Sequence, residues 1–236
     1  MAPDGIPFKG RDIMWKIDLM LKHNPHLAPA AEVLGVRNAD CRPYSDKVVT
    51  ELAKILFPTL TLEFETSPQP GTLRSGVTLI QWMGDIYTPI VSFLANGLNT
   101  PGLFLHEFGH ACCGAARPAP DRPSPAEIAG LELLGNLDTT PGAEVAAWCG
   151  AVILAALCQI DVRIVLCDLL AGAIEPGRDD LLELFISLAE RADIVTARQE
   201  LLLAVLLSPD DFRDTDEMSR YRMIDAATVI LLDALW

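Results

Sequence analysis

Two histidines four positions apart with a glutamate between them, His106-Glu107-Phe108-Gly109-His110, form the one stretch of this 236-residue chain whose residue types and spacing spell out a reaction. On a helix, residues four apart share a face, so His106 and His110 can offer imidazole nitrogens to one metal ion. Glu107, one position on, points beside that ion to where a bound water would sit. Zinc lowers the pKa of its water to about 7, and a neighbouring carboxylate can then take the proton. The competing expectation is a buried helix that carries two histidines for packing alone.

A catalytic zinc takes three protein ligands and keeps one position open. The other histidines, His23 and His26, precede the motif, none follows His110, and position 116 is Ala, so a third histidine in the HExxHxxGxxH arrangement is excluded. The third ligand must be a carboxylate or a thiolate. Glu144 in "TTPGAEVAAWCGAVIL" is preferred, because it falls in the first turn of a strongly apolar helix, where the positive helix end favours a carboxylate. Glu127 and Glu132 remain as alternatives, on a shorter segment that begins in a proline-rich loop. Cys112 and Cys113 continue the motif helix away from the ligand face and are expected to be packing thiols. Peptide deformylase also pairs this motif with a cysteine, but its upstream EGCLS-type segment is not reproduced by Cys41 in "DCRPY". For the donor that a tetrahedral oxyanion needs, Tyr44, Tyr87, Tyr221, Arg117, Arg122, His23 and His26 all stay open.

The elements that must position these groups follow from periodicity. Ile13, Ile17, Met20 and Leu21 mark a helix over Arg11 to His23, stopped by Asn24-Pro25, and Ser45 caps a second that runs to Phe57 before Pro58. Leu60, Leu62 and Phe64 then alternate with polar neighbours, predicting a strand over Thr59 to Thr66. Gly76 to Met83 predicts a second strand and Ile90 to Leu94 a third. Thr100-Pro101-Gly102 opens the motif helix, and Gly109 within it lets another backbone pass close. "RPAPDRPSP" (Arg117 to Pro125) is a loop. A short helix is expected over Glu127 to Leu134, the apolar helix from Gly142 to about Leu157, and further helices over Asp179 to Leu207 and Ser219 to Leu235.

This order predicts an α+β fold: a small sheet, the motif helix, and a mostly helical C-terminal half. Residues 1–75 would form N-terminal helices and a first strand packed on the core, 76–165 the metal-binding core, and 166–236 a C-terminal helical part, the whole expected to form one compact domain.

Composition narrows the function. Half of the residues are hydrophobic and the mean hydropathy is +0.29, yet the longest low-charge run, Val145 to Ile160, is short of the roughly 18 to 20 residues a membrane span needs. No basic segment precedes an apolar one at Met1, and six cysteines without a CxxC pair suit a reducing interior, so a cytoplasmic location is expected. A net charge of −14 and a pI near 4.6 oppose direct binding to duplex nucleic acid.

"FLHEFGHACCGAA", followed 34 residues after His110 by Glu144 in "AEVAAWCGAVILAALCQI", resembles the zincin-like domain of ArdC-type anti-restriction proteins and is similar to the ImmA/IrrE group. The second helix matches the family pattern at Glu144, Ala147, Gly150, Ala151 and Leu154, while Trp148 stands where the family has a second acid. The resemblance covers about residues 75 to 165. It implies a gluzincin-like, zincin fold with His106, His110 and Glu144 as zinc ligands and Glu107 as general base, and it points to a phage, plasmid or host-defence setting. The expected activity is hydrolysis of peptide bonds in a peptide or protein laid along an edge strand formed by Ile86 to Leu94. The rival expectation is a catalytically silent zincin-fold module whose acidic surface meets a basic partner or mimics nucleic acid.

Overall fold

A computed structural model describes residues 11–39, 44–65, 76–83, 86–94, 100–112, 141–192, 212 and 214–236. The described part is mostly helical with one small sheet, the α+β arrangement that the periodicity predicts. Helix α1 (Arg11–His23) ends where expected, at Asn24, whose side-chain amide bonds the Met20 carbonyl at 3.0 Å. Helix α2 (Ala28–Val33) follows after a 3-10 turn. Helix α3 (Asp46–Leu56) is capped by Ser45, whose hydroxyl accepts from the Val48 N–H at 3.4 Å, and it stops before Pro58.

The three strands are β1 (Thr61–Glu65), β2 (Gly76–Met83) and β3 (Ile86–Leu94), in the order β1-β3-β2. β3 runs parallel to β1 and antiparallel to β2. It begins earlier than the Ile90 expected from sequence. Pro89 argues against a strand because it has no N–H to donate. It is tolerated because β1 pairs with β3 only from Ile90 onward, so at Pro89 the strand has a partner on the β2 side alone. The topology also corrects the expected docking edge. Ile86 to Leu94 is the central strand, paired with β2 over Ile86 to Phe93 and with β1 from Ile90 onward, and the edges among the described residues are β1 and β2. Val91 and Phe93 of β3 are buried, and Phe64 of β1 packs on Phe93 with ring centroids 6.2 Å apart.

Helices α4 (Pro101–Cys112), α5 (Pro141–Leu157), α6 (Val162–Ala173), α7 (Asp179–Glu190) and α8 (Glu217–Leu235) make up the rest. One core runs from Ile17 to Leu235, with Phe57, Phe104, Phe108 and Tyr221 at its centre; Phe57 stacks on Tyr221 at 4.4 Å. The helix expected over Ser219 to Leu235 starts slightly earlier, at Glu217, because Asp216 caps it by accepting from the Ser219 N–H at 3.0 Å. The helix expected over Asp179 to Leu207 stops at Glu190, the end of α7, where Arg191 leaves helical geometry at φ −114° and ψ 20°; residues 193–207 lie outside the described residues. The helix expected over Glu127 to Leu134 lies outside the described residues. Among the described residues, no helix is long and apolar enough to cross a membrane.

Candidate metal centre

Helix α4 is the innermost element, buried at every described position but Leu103, as a helix without a polar face must be. Its start is fixed by Asp168 of α6. The Thr100 hydroxyl donates to Asp168 Oδ2 at 2.5 Å, and a Cβ on Gly102 would lie 2.2 Å from the same oxygen. Glycine at 102 therefore lets a carboxylate rest on the positive end of the helix.

Helix α5 crosses α4 with the two backbones in contact. A Cβ on Gly109 would come within 2.2 Å of the Ala147 carbonyl oxygen, and one on Gly150 would meet Gly109 Cα at 3.2 Å. This is the close pass that Gly109 predicts. Helical arithmetic then sets the site: Glu144 stands three residues before Ala147 on α5, as His106 stands three before Gly109 on α4, so the carboxylate comes to rest over the two imidazoles.

His106 Nε2 lies 3.1 Å from His110 Nε2 and 3.4 Å from Glu144 Oε2, and His110 Nε2 lies 3.4 Å from Glu144 Oε1. Ligand bonds of about 2.0–2.1 Å at tetrahedral angles place neighbouring donor atoms about 3.3 Å apart. The separations of 3.1, 3.4 and 3.4 Å, the last two to different oxygens of Glu144, are of that order, and the chemistry of the donor set, two imidazoles and a carboxylate, suits zinc. Among the described residues these three are the one group of His, Cys, Asp or Glu able to hold a metal ion together. Glu107 is buried beside them on the same turn.

Burial holds the His106 pKa below its ordinary value, against the opposing pull of Glu144 and Glu107, so the ring favours the neutral form that a metal requires. Trp148 stacks on that ring at 4.2 Å and 25°. His106 Nδ1 has no hydrogen-bond partner among the described residues, so the indole face is what fixes the ring where a ligand histidine ordinarily uses an N–H bond.

The structure thus brings His106, His110 and Glu144 together. Glu127, Glu132, Cys41, Cys113, Arg117 and Arg122 lie outside the described residues. Cys112 is a core thiol, as expected. Of the open oxyanion donors, Tyr44 packs against Phe104, the Tyr221 hydroxyl donates to Glu217 at 3.3 Å, and His23 and His26 are exposed.

Two residues that the spacing argument missed do reach the site. Arg178 Nη2 lies 3.4 Å from Glu144 Oε2, and the same guanidinium grips Asp180 through Nε at 3.1 Å and Nη2 at 3.2 Å. Burial opposes the charge on Arg178, but Asp180 and Glu144 outweigh it and hold the pKa above its usual range. A signal was present: Arg178 occupies the N-cap of α7 and makes no cap bond there, and a cation at a helix N-terminus is unfavourable unless it serves another purpose.

No family model matches this chain, and neither a curated protein nor a solved structure does.

Proposed function

We propose that this chain is a zinc-dependent peptidase of zincin-like type, located in the cytoplasm. The observation that carries the proposal is the convergence of His106, His110 and Glu144, one ligand atom from each within 4.8 Å of the others, with the buried Glu107 next to them. Zinc, when bound, would polarise the scissile carbonyl and lower the pKa of its water to about 7. His106 and His110 supply neutral nitrogens, and Glu144 supplies the negative charge that balances part of the ion's. Glu107 accepts the proton of the attacking water and passes it to the leaving amine. The pairing of α4 with α5 through Gly109 and Gly150 supports the resemblance to ArdC-type and ImmA/IrrE domains, since both signature helices meet at the residues that carry it.

The substrate is a peptide or protein segment in extended form. It would add to β2, which packs against α4 and stands at an edge of the sheet among the described residues, by main-chain hydrogen bonding. Glu107→Gln should retain zinc while cleavage of a peptide library falls by about 10²–10⁴-fold. Unchanged cleavage would remove Glu107 from the reaction. The burial of the three ligand side chains, 7%, 11% and 10% exposed, favours a second reading, a silent regulatory module that holds zinc without turnover. Stoichiometric zinc with no cleavage by the native chain would establish that one.

A further inference from the structure

Arg178 is spent on two carboxylates of different standing. Asp180 lies two positions on in the same chain segment and takes the Nε/Nη2 edge of the guanidinium in a two-pronged grip, at 3.1 and 3.2 Å. Such a fork fixes the plane of the guanidinium, which a single contact would not. Nη2, already held by Asp180, then faces Glu144 Oε2 at 3.4 Å. The side chains of Arg178, Asp180 and Glu144 are 17%, 18% and 10% exposed, so this is not a solvated surface pair of negligible worth. Gly177, with φ +80°, turns the chain into position immediately before Arg178.

The two oxygens of Glu144 are therefore not equivalent. Oε1 faces His110, whereas Oε2 faces both His106 and the guanidinium. A carboxylate can give a metal one oxygen or chelate it with both, and chelation takes up a coordination place that a hydrolytic site needs for water or substrate. A guanidinium N–H directed at one oxygen draws its lone pairs away and biases the group toward single-oxygen binding.

We infer that Arg178, braced by Asp180, is a positioning residue that holds Glu144 by Oε2 and so biases its carboxylate toward binding a metal ion through one oxygen rather than both. The inference rests on the metal site proposed above. It goes further in assigning the orientation of the third ligand to a pair of residues, Arg178 and Asp180, that bind no metal themselves.

Cobalt(II) in place of zinc tests this in the full-length chain, because its visible absorption reports coordination number. The native chain should bind one cobalt ion with the intense bands of four-coordination. Arg178→Met should still bind cobalt, but with weakened bands typical of higher coordination, and its zinc Kd should rise about 10–100-fold, the usual cost of losing an outer-shell partner. Asp180→Asn, which keeps the arginine and frees its fork, should move in the same direction, and Arg178→Lys should restore the native spectrum in part. Circular dichroism checks the fold of each variant, and Asp180→Asn carries the test if Arg178→Met does not fold. Spectra and zinc affinities superimposable on the native ones would overturn the inference while leaving the metal site intact. Failure of the native chain to take up cobalt or zinc would overturn the metal site itself, and this inference with it.

Discussion

Two polar clusters in this protein, one buried and one only partly so, are built on opposite plans. Where α8 meets the end of α3, Arg220 donates Nη1 to the Ile55 and Leu56 carbonyls at 3.0 and 2.9 Å and Nε to the Thr215 carbonyl at 3.0 Å. Beside it Glu217 accepts the Thr59 N–H at 2.9 Å and the Tyr221 hydroxyl at 3.3 Å. Each of these donors ends on an acceptor that the chain itself provides, and the helix end at Leu56 gains partners for carbonyls that no helix can satisfy internally. At the crossing of α4 and α5, by contrast, two imidazole nitrogens and a carboxylate face one another within 4.8 Å. Those three side chains could hold a metal ion together. Burial alone therefore does not mark function: a self-sufficient polar cluster closes the fold, whereas a cluster of converging acceptors is suited to hold something.

The largest effect should come from removing one of the acceptors. Elemental analysis of protein purified without chelator or immobilised metal should find near-stoichiometric zinc in the native chain and none in His106→Ala or Glu144→Ala. Thermal unfolding should show the same division. Free zinc at a hundred times its Kd should stabilise the native chain by about 2.7 kcal/mol and leave both variants unmoved. A zinc-dependent shift that survives in Glu144→Ala would mean that the ion sits elsewhere, and the contrast between the two clusters would collapse.

The closed cluster should respond in the other way. Arg220→Met strands the buried Leu56 carbonyl of α3 and two half-buried ones, at a cost of about 1–3 kcal/mol. Arg220→Lys should recover only part of that, since an ammonium cannot span acceptors as a planar fork does. In both variants zinc content should stay native and the zinc-induced stabilisation should be unchanged. Denaturant titrations with and without zinc would decide it, and loss of zinc in Arg220→Met would show that the two clusters are coupled.

Much of this was legible in the chain because local signals and tertiary demands agreed. Ser45 and Pro58 bracket α3 in sequence as in space, and the alternation of Leu60, Leu62 and Phe64 announces β1. Glu144 could be picked out because a carboxylate is conspicuous in a helix as apolar as α5. Legibility failed where the decisive fact was non-local. That Pro89 is harmless depends on where β1 starts to pair, and that β3 is central depends on a strand order that no single stretch encodes. Arg178 and Asp180 stand 34 and 36 residues beyond Glu144, on another helix, and only the packing of α7 against α5 brings them to it. Trp148, noticeable in sequence merely as a departure from a family pattern, proves to be the surface on which His106 rests.

The smallest expected effect concerns protons at His106. Burial depresses the His106 pKa, so the folded chain resists protonation at a site that the unfolded chain protonates near pH 6.5. Above that pH both states carry a neutral ring and His106 adds no pH dependence. As the pH falls below about 6.5 the unfolded state takes up a proton that the folded state does not, so stability declines until the pH reaches the depressed folded value. In zinc-free protein this decline should be visible between the two pKa values and absent from His106→Gln, whose side chain does not titrate. Zinc should steepen it, because protons and metal compete for the same nitrogens. Urea melts at half-unit steps from pH 7.5 to 5 would test the division; an identical slope in native and His106→Gln chains would place the proton uptake on another group.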